Sequence, residues 1–302
     1  MAIATSASAP ERVLQRLEWR IIRRLDGLLQ GDYRTLFPGY GVDFANLREY
    51  QAGDDVRYIN WNVTARMDAP FVRVYHEDRE IDCWFLVDLS PSLDFGTVEV
   101  DREKRAVVID LVTILARLLT RHGNRVGALL YGQQLDLVIP PRTGRDQVLR
   151  LTSALLEAPR LPRATFTDLA PLLQAGLRSI KRRSLVMVIS DFISAPGWDR
   201  SLALLARRHE VLAIRVHDPR EETLPDMGPL VLEDAETGEQ LVIDTHDRAF
   251  RGRFEEAGRQ RELDLTRAFQ RSGVEASHVS TDGDLVREIV TMATRGAKRR
   301  VS

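Results

Sequence analysis

Cysteine is almost absent: Cys83 is the only one among 302 residues, so no intrachain disulfide can form. It lies in an apolar run, where a thiol acts as an inert core group rather than a nucleophile. Lysine is nearly as scarce, with only Lys104, Lys181 and Lys298 among 43 basic residues. No apolar run approaches the roughly 20 residues that a membrane-spanning helix needs. Met1 to Pro10 are small and polar, without the charged start and apolar middle of a signal peptide. Neither sign of charge dominates, at 43 basic against 44 acidic residues. Bulk electrostatics therefore favours neither nucleic acid nor a membrane surface as partner. Together these absences predict a cytoplasmic protein.

Several catalytic signatures are missing as well. Gly39-x-Gly41 lacks a third glycine and follows no strand, so it is not a dinucleotide fingerprint. There is no phosphate-binding G-x-x-x-x-G-K-[ST] loop and no G-x-S-x-G elbow for acyl transfer. The six histidines contain no H-x-x-x-H pair, which argues against a zinc site.

What is present reads as an ordinary folded chain, 44% hydrophobic and 29% charged. Residues 11–30 place Leu14, Leu17, Ile21, Ile22, Leu25 and Leu28 on one helical face. A turn-rich segment, Gly31 to Asp68, comes next, and FVRVYHEDRE (71–80) opens with strand-like alternation. From Asp82 the pattern becomes regular. CWFLVDL (83–89) and SLVMVIS (184–190) read as strands buried on both faces. Two strands at 125–140 turn at Gln133-Gln134, and VLAIRV (211–216) and VEASHVS (274–280) supply two more. Helical spacing occupies 102–121, with Asp101 as N-cap and Gly123 as stop, then 145–157, 168–180, 198–208, 248–272 and 282–294. PLVLEDAETGEQLVID (229–244) reads as an inserted β-hairpin turning at Glu236-Thr237-Gly238. Strands alternating with helices predict an α/β fold, a doubly wound and mostly parallel sheet of Rossmann-like type. The division expected is a small N-terminal module over 1–80, holding the helix and the turn-rich segment, and a main domain over 81–297.

In such sheets ligands bind at the carboxyl ends of the strands, where the strand order reverses. Two apolar strands here end in carboxylates, Asp88 in DLSPS and Asp191 in SDF. Asp88, Ser90 and Ser92 offer one carboxylate and two hydroxyls within a five-residue turn. Thr167, in the loop before a helix, adds a third hydroxyl, with Thr165 as its competitor. An all-oxygen set suits Mg²⁺ or Mn²⁺ and serves zinc or copper poorly. The competing interpretation is that Asp88 and the serines close a turn and Asp191 is a simple N-cap.

This arrangement resembles the metal-ion-dependent adhesion site of von Willebrand factor A domains. There a DxSxS loop, a threonine from a second loop and an aspartate from a third hold the ion. The resemblance covers about 82–295 and implies a metal site at Asp88, Ser90, Ser92, Thr167 and Asp191. Thr167 is preferred over Thr165 because DLAPLL after it matches the family's helix start.

GVDFANLREYQAGDDVRYINWNVTAR (41–66) further resembles the signature of domain-of-unknown-function family 58. These are bacterial proteins with a von Willebrand factor A-like domain, typically encoded beside MoxR-type AAA+ ATPases. Asn60 stands where that family usually has aspartate. Arg48, Glu49, Tyr50, Asp54, Asp55, Arg57, Trp61 and Arg66 carry the signature. They form either a network pinning the module down, with Phe44, Tyr50, Ile59 and Trp61 as anchors, or a partner-recognition surface. The resemblance implies a non-enzymatic, metal-dependent interaction module, an adaptor or co-chaperone whose protein partner is a MoxR-type AAA+ ATPase. Alternatives are a metal-dependent phosphohydrolase and a structural domain with a vestigial site. Haloacid-dehalogenase-type phosphatases use D-x-D-x-T, and Ser90 stands here in place of their second, acid-donating aspartate.

Overall fold

The computed structural model describes residues 8–28, 46–51, 59–67, 69–74, 81–94, 102–161, 167–233 and 240–298. They fall into two compact units, residues 1–28 with 81–289 and residues 29–80 with 290–302.

The first unit opens with α1 (Ala9–Leu17) and α2 (Arg23–Leu28), joined by a π-helical stretch over Glu18–Ile22. Ser8 caps α1 reciprocally: Glu11 N–H donates to the Ser8 hydroxyl, and Ser8 N–H donates to the Glu11 carboxylate. Two amides that begin the helix without intrahelical partners are thereby satisfied. The second unit holds β1 (Asn46–Glu49), α3 (Trp61–Thr64) and β2 (Phe71–Val74). Its strands pair antiparallel, from Asn46 opposite Val74 to Glu49 opposite Phe71.

The first unit continues with β3 (Asp82–Asp88), α4 (Lys104–Arg121), β4 (Arg125–Tyr131), β5 (Leu135–Arg142), α5 (Arg145–Glu157) and α6 (Ala170–Ser179). Then come β6 (Leu185–Ser190), α7 (Trp198–Arg208), β7 (Glu210–His217), β8 (Pro229–Glu233), β9 (Gln240–Asp244), α8 (Arg248–Ser272), β10 (Ala276–Ser280) and the start of α9 (Leu285–Lys298). Six strands form one sheet in the spatial order β5-β4-β3-β6-β7-β10. Only the β4–β5 pair is antiparallel. Counting the sheet's own strands in chain order, this is the 3-2-1-4-5-6 order of a doubly wound α/β fold. β8 and β9 pair separately as the inserted antiparallel ribbon. Its turn at Glu236, Thr237 and Gly238, like the proposed cap Asp101, lies outside the described residues.

Helices cover both faces. Trp84, Leu86, Leu129, Val186 and Val188 pack against Leu172, Leu173, Leu202, Leu205 and Phe269 from α6, α7 and α8. By strand alternation Cys83, Phe85 and Val87 point the other way, and they are equally buried. Burial pushes the Cys83 thiol far above its ordinary range, which suits the expected inert core group. α4 and α5 cover that second face, and α1 packs against both of them.

The N-terminal helix therefore does not group with the signature module as the expected division at residue 80 had it. Its apolar stripe, Leu14, Leu17, Ile21, Ile22 and Leu25, is buried in the first unit. Arg16 to Asp110 at 2.5 Å and Arg117 to Glu18 at 2.7 Å tie it to α4.

Candidate functional site

β3 and β6 are parallel neighbours at the reversal of strand order, so their carboxyl ends lie side by side where a doubly wound sheet forms its ligand crevice. β3 ends at Asp88, β6 at Ser190, and Asp191 follows. Asp88 and Asp191 are completely buried. Asp88 Oδ1 accepts the Ser90 N–H at 2.9 Å, and Oδ2 accepts the Ser190 hydroxyl at 2.7 Å. The chain then enters a short 3-10 turn, Pro91–Asp94, which brings Ser92 back so that its Oγ lies 3.1 Å from that of Ser90.

Thr167 is buried in the loop before α6, and its carbonyl accepts the Ala195 N–H at 2.9 Å. Leu169 N–H donates to the Ser194 hydroxyl at 3.0 Å. The Thr167 loop is thus laced to the segment that follows Asp191. Its competitor, Thr165, lies outside the described residues.

Asp191 is not a helix cap, because α7 begins only at Trp198. Its Oδ1 accepts the Ile193 N–H at 3.0 Å, closing a local turn. Its Oδ2 accepts from Lys104 Nζ at 2.9 Å. Lys104, the first residue of α4, is completely buried and also donates to Glu221 Oε1 at 2.5 Å. The other Glu221 oxygen accepts the Asp218 N–H at 3.2 Å, while Asp218 Oδ1 accepts the Arg220 N–H at 2.8 Å. This capping box fixes the short turn Pro219–Glu221 beneath the lysine. Thr281 Oγ1 donates to Asp218 Oδ2 at 2.8 Å, joining the end of β10 to the same network.

Backbone strain marks the spot. Phe192, directly after Asp191, has φ +59°, a left-handed conformation that bulky side chains avoid. Its ring is held at 5.1 Å from Trp198 and 4.9 Å from Phe269, and its N–H donates to the Ser190 hydroxyl. Such strain costs on the order of 1–3 kcal/mol and persists only where surrounding packing fixes it. Here it falls directly after Asp191, the carboxylate that accepts from Lys104.

Electrostatics follows from the same geometry. Burial, and then the neighbouring Asp191 charge, push the Asp88 carboxyl up to about 6, against hydrogen bonds from Ser190 and Ser90 that pull it down. Burial works to strip Lys104 of its proton, but Asp191 and Glu221 outweigh it and keep the ammonium charged. Burial raises Glu221 too, partly offset by Lys104.

The donor chemistry fits a hard divalent ion. Among the described residues no group of three His, Cys, Asp or Glu side chains could hold a metal. An ion here would therefore need oxygens beyond those carboxylates, such as the serine hydroxyls, backbone carbonyls or water, a set that suits Mg²⁺ or Mn²⁺. Two adjacent ligands of an octahedral ion at 2.0–2.1 Å lie about 3 Å apart, close to the Ser90–Ser92 spacing. The less favourable feature is Lys104, whose charge already occupies one oxygen of Asp191.

Arg105 holds the serine turn in place. It is buried, donates to both Asp94 oxygens at 3.1 and 3.4 Å, and reaches the Ala158 carbonyl at 2.5 Å. Arg105→Ala is expected to lower stability by about 3 kcal/mol, because it leaves a half-buried carboxylate and a carbonyl without their donor. Arg105→Lys should restore only part of this, since one ammonium cannot serve both sides of the fork. Urea midpoints of the two variants check it.

The signature residues are spread. Arg48 and Glu49 lie in β1, opposite Val72 and Phe71. Tyr50 is half-buried, and its N–H donates to the Pro70 carbonyl at 2.8 Å. Ile59 is half-buried and bridges to Val72. Trp61 starts the single-turn helix α3 and is 68% exposed. Arg66 is exposed as well. Phe44, Asp54, Asp55 and Arg57 lie outside the described residues.

Sequence reasoning missed Ser190, Lys104 and Glu221. Lys104 had a signal, since positions 104, 108 and 111 share one helical stripe with the buried Val108 and Leu111. Ser190 meets Asp88 only through the β3–β6 register, and Glu221 had no signal.

Comparison with known proteins places the chain. The family described as "Protein of unknown function DUF58" matches residues 46–264. An uncharacterized protein of Mycobacterium tuberculosis is 39% identical over 277 residues, covering 92% of this chain and 86% of its own. One from Mycobacterium avium is 38% identical over 152 residues, covering 50% of this chain and 89% of its own. Similar solved structures include an aerotolerance-related membrane protein from Bacteroides fragilis, with TM-score 0.47, 12% identity and coverage of 71% and 99%. Another is the manganese-loaded TRAP protein of Plasmodium vivax, with TM-score 0.31, 21% identity and coverage of 45% and 57%. The match across most of its length makes this chain a member of the DUF58 family.

Proposed function

We propose that this protein is a non-enzymatic interaction module that grips a protein partner through a divalent ion at the β3–β6 crevice. One observation carries the reading: two serine hydroxyls 3.1 Å apart stand beside a buried carboxylate at the reversal of strand order. Asp88, Ser90, Ser92, Thr167 and Asp191 would hold Mg²⁺ or Mn²⁺, whose remaining coordination position would take a partner's carboxylate. The partner inferred from the family resemblance is a MoxR-type AAA+ ATPase, with this chain as adaptor or co-chaperone in the cytoplasm. No helix among the described residues is long and apolar enough to cross a membrane. The chain's own part is to align the hydroxyls, through the Arg105-held turn, and to seat Asp88 on Ser190.

The test is capture of the purified ATPase by this protein. Capture is expected in Mn²⁺ or Mg²⁺ and is expected to be lost in EDTA and in Asp88→Ala. Undiminished capture under both conditions would overturn the metal-bridged reading. Turnover of a generic phosphate ester that vanishes in Asp88→Asn would instead favour the hydrolase, and calorimetry with no heat from either ion would favour a purely structural domain.

A further inference from the structure

The geometry points to Lys104 as a built-in cation that competes with a divalent ion for Asp191, so that the crevice holds its ion weakly and the fold stands without one. This rests on the metal-binding reading above and adds what regulates that site.

The ammonium is fully enclosed and reaches two carboxylates, Asp191 at 2.9 Å and Glu221 at 2.5 Å. The other Asp191 oxygen is already tied to the Ile193 N–H. Asp191 is therefore neutralised inside the protein before any ion arrives. Without Lys104, three acidic side chains, Asp88, Asp191 and Glu221, would share one buried region, and burying unpaired charge is strongly unfavourable.

A divalent ion at the serine pair and the Lys104 ammonium are like charges drawn to the same carboxylate. In a region this poorly hydrated their repulsion is only weakly screened. Each therefore weakens the other's hold. The placement is built rather than incidental: α4 delivers Lys104 from one side of the crevice, and the capped turn Pro219–Glu221 delivers Glu221 from beside β7. In a chain whose basic residues are overwhelmingly arginine, this position carries one of three lysines. A compact ammonium on a flexible stem can sit between two carboxylates where a planar guanidinium would not fit the same space.

The experiment titrates Mn²⁺ into the unaltered 302-residue chain, into Lys104→Met and into Lys104→Met/Glu221→Gln, following heat of binding and thermal unfolding with Mn²⁺ or EDTA. The double variant removes one positive and one negative charge together. It therefore keeps the site's net charge while freeing Asp191, which separates competition for that carboxylate from a simple change in charge. Both variants are expected to bind Mn²⁺ at least tenfold more tightly than the parent. The melting midpoint of the single variant is expected to fall in EDTA and recover with Mn²⁺. If the parent binds Mn²⁺ and neither variant binds it more tightly, the inference about Lys104 fails while the metal reading stands. If no form takes up Mn²⁺, both fail together. Failure of both variants to fold even with Mn²⁺ also overturns the inference, because the ion is expected to take the ammonium's place.

Discussion

Asp88→Asn is expected to make the metal-free protein more stable at pH 7, by on the order of 2 kcal/mol, while abolishing its response to Mn²⁺. The folded state holds the Asp88 carboxyl at about 6 against an ordinary 3.8. A carboxyl with a raised folded value binds its proton more tightly folded than unfolded. Its cost is therefore absent below about pH 4, grows as pH rises through about 6, and is complete at pH 7. Asparagine has no such titration. It keeps an oxygen for the Ser90 N–H, and the Ser190 hydroxyl can turn to accept from the new amide. Urea midpoints in EDTA from pH 4 to 7 should fall with pH for the parent and less steeply for the variant. A variant that is less stable at pH 7, or that falls as steeply, would show that the buried charge is not the cost assigned to it. The outcome would be a functional carboxylate maintained at the expense of stability.

Gly127→Ala is expected to cost about 3 kcal/mol or more, at the upper end for overpacking. Gly127 faces a bulge: Val126 pairs with Arg142 and Ala128 with Ile139, leaving two prolines opposite one glycine. A Cβ there would lie 2.7 Å from the Ile139 carbonyl oxygen and 2.9 Å from the Pro141 nitrogen. These are backbone atoms and cannot rotate aside. Denaturant unfolding measures the loss, and hydrogen exchange should show it concentrated in the β4–β5 edge. Gly127 sits toward the start of β4, while Tyr131 at its other end accepts the Leu89 N–H beside the crevice. Mn²⁺ affinity of the folded protein should therefore stay unchanged. A stability loss under about 1 kcal/mol would mean that β5 yields more readily than its pairing implies.

Elements with a strong period were legible. Helices expected at 145–157, 198–208 and 248–272 form at those residues, and the strand expected at 83–89 is displaced by one. The expected 102–121 helix begins two residues later, at Lys104, and the 282–294 helix begins at Leu285, because Asp284 accepts the Val286 N–H before regular turns start. The Asp88–Ser92 turn could be read because its groups are neighbours in the chain. Lys104 and Glu221 could not be read as a pair, since they lie 117 residues apart and meet only when α4 and the turn after β7 are packed.

The reversal of strand order also dictates when the crevice can come into being. β3, β4 and β5 follow one another in the chain and can pair as soon as they are synthesised, whereas β6, the other neighbour of β3, begins only at Leu185, 43 residues after β5 ends at Arg142. Until then the apolar strand CWFLVD presents an open edge, the kind of surface on which slow, long-range sheets tend to misassociate. Asp88 belongs to the early half and Asp191 to the late half. No intermediate lacking that seam can assemble the site, so the first ion-competent species on the folding pathway is the one in which the two half-sheets have joined.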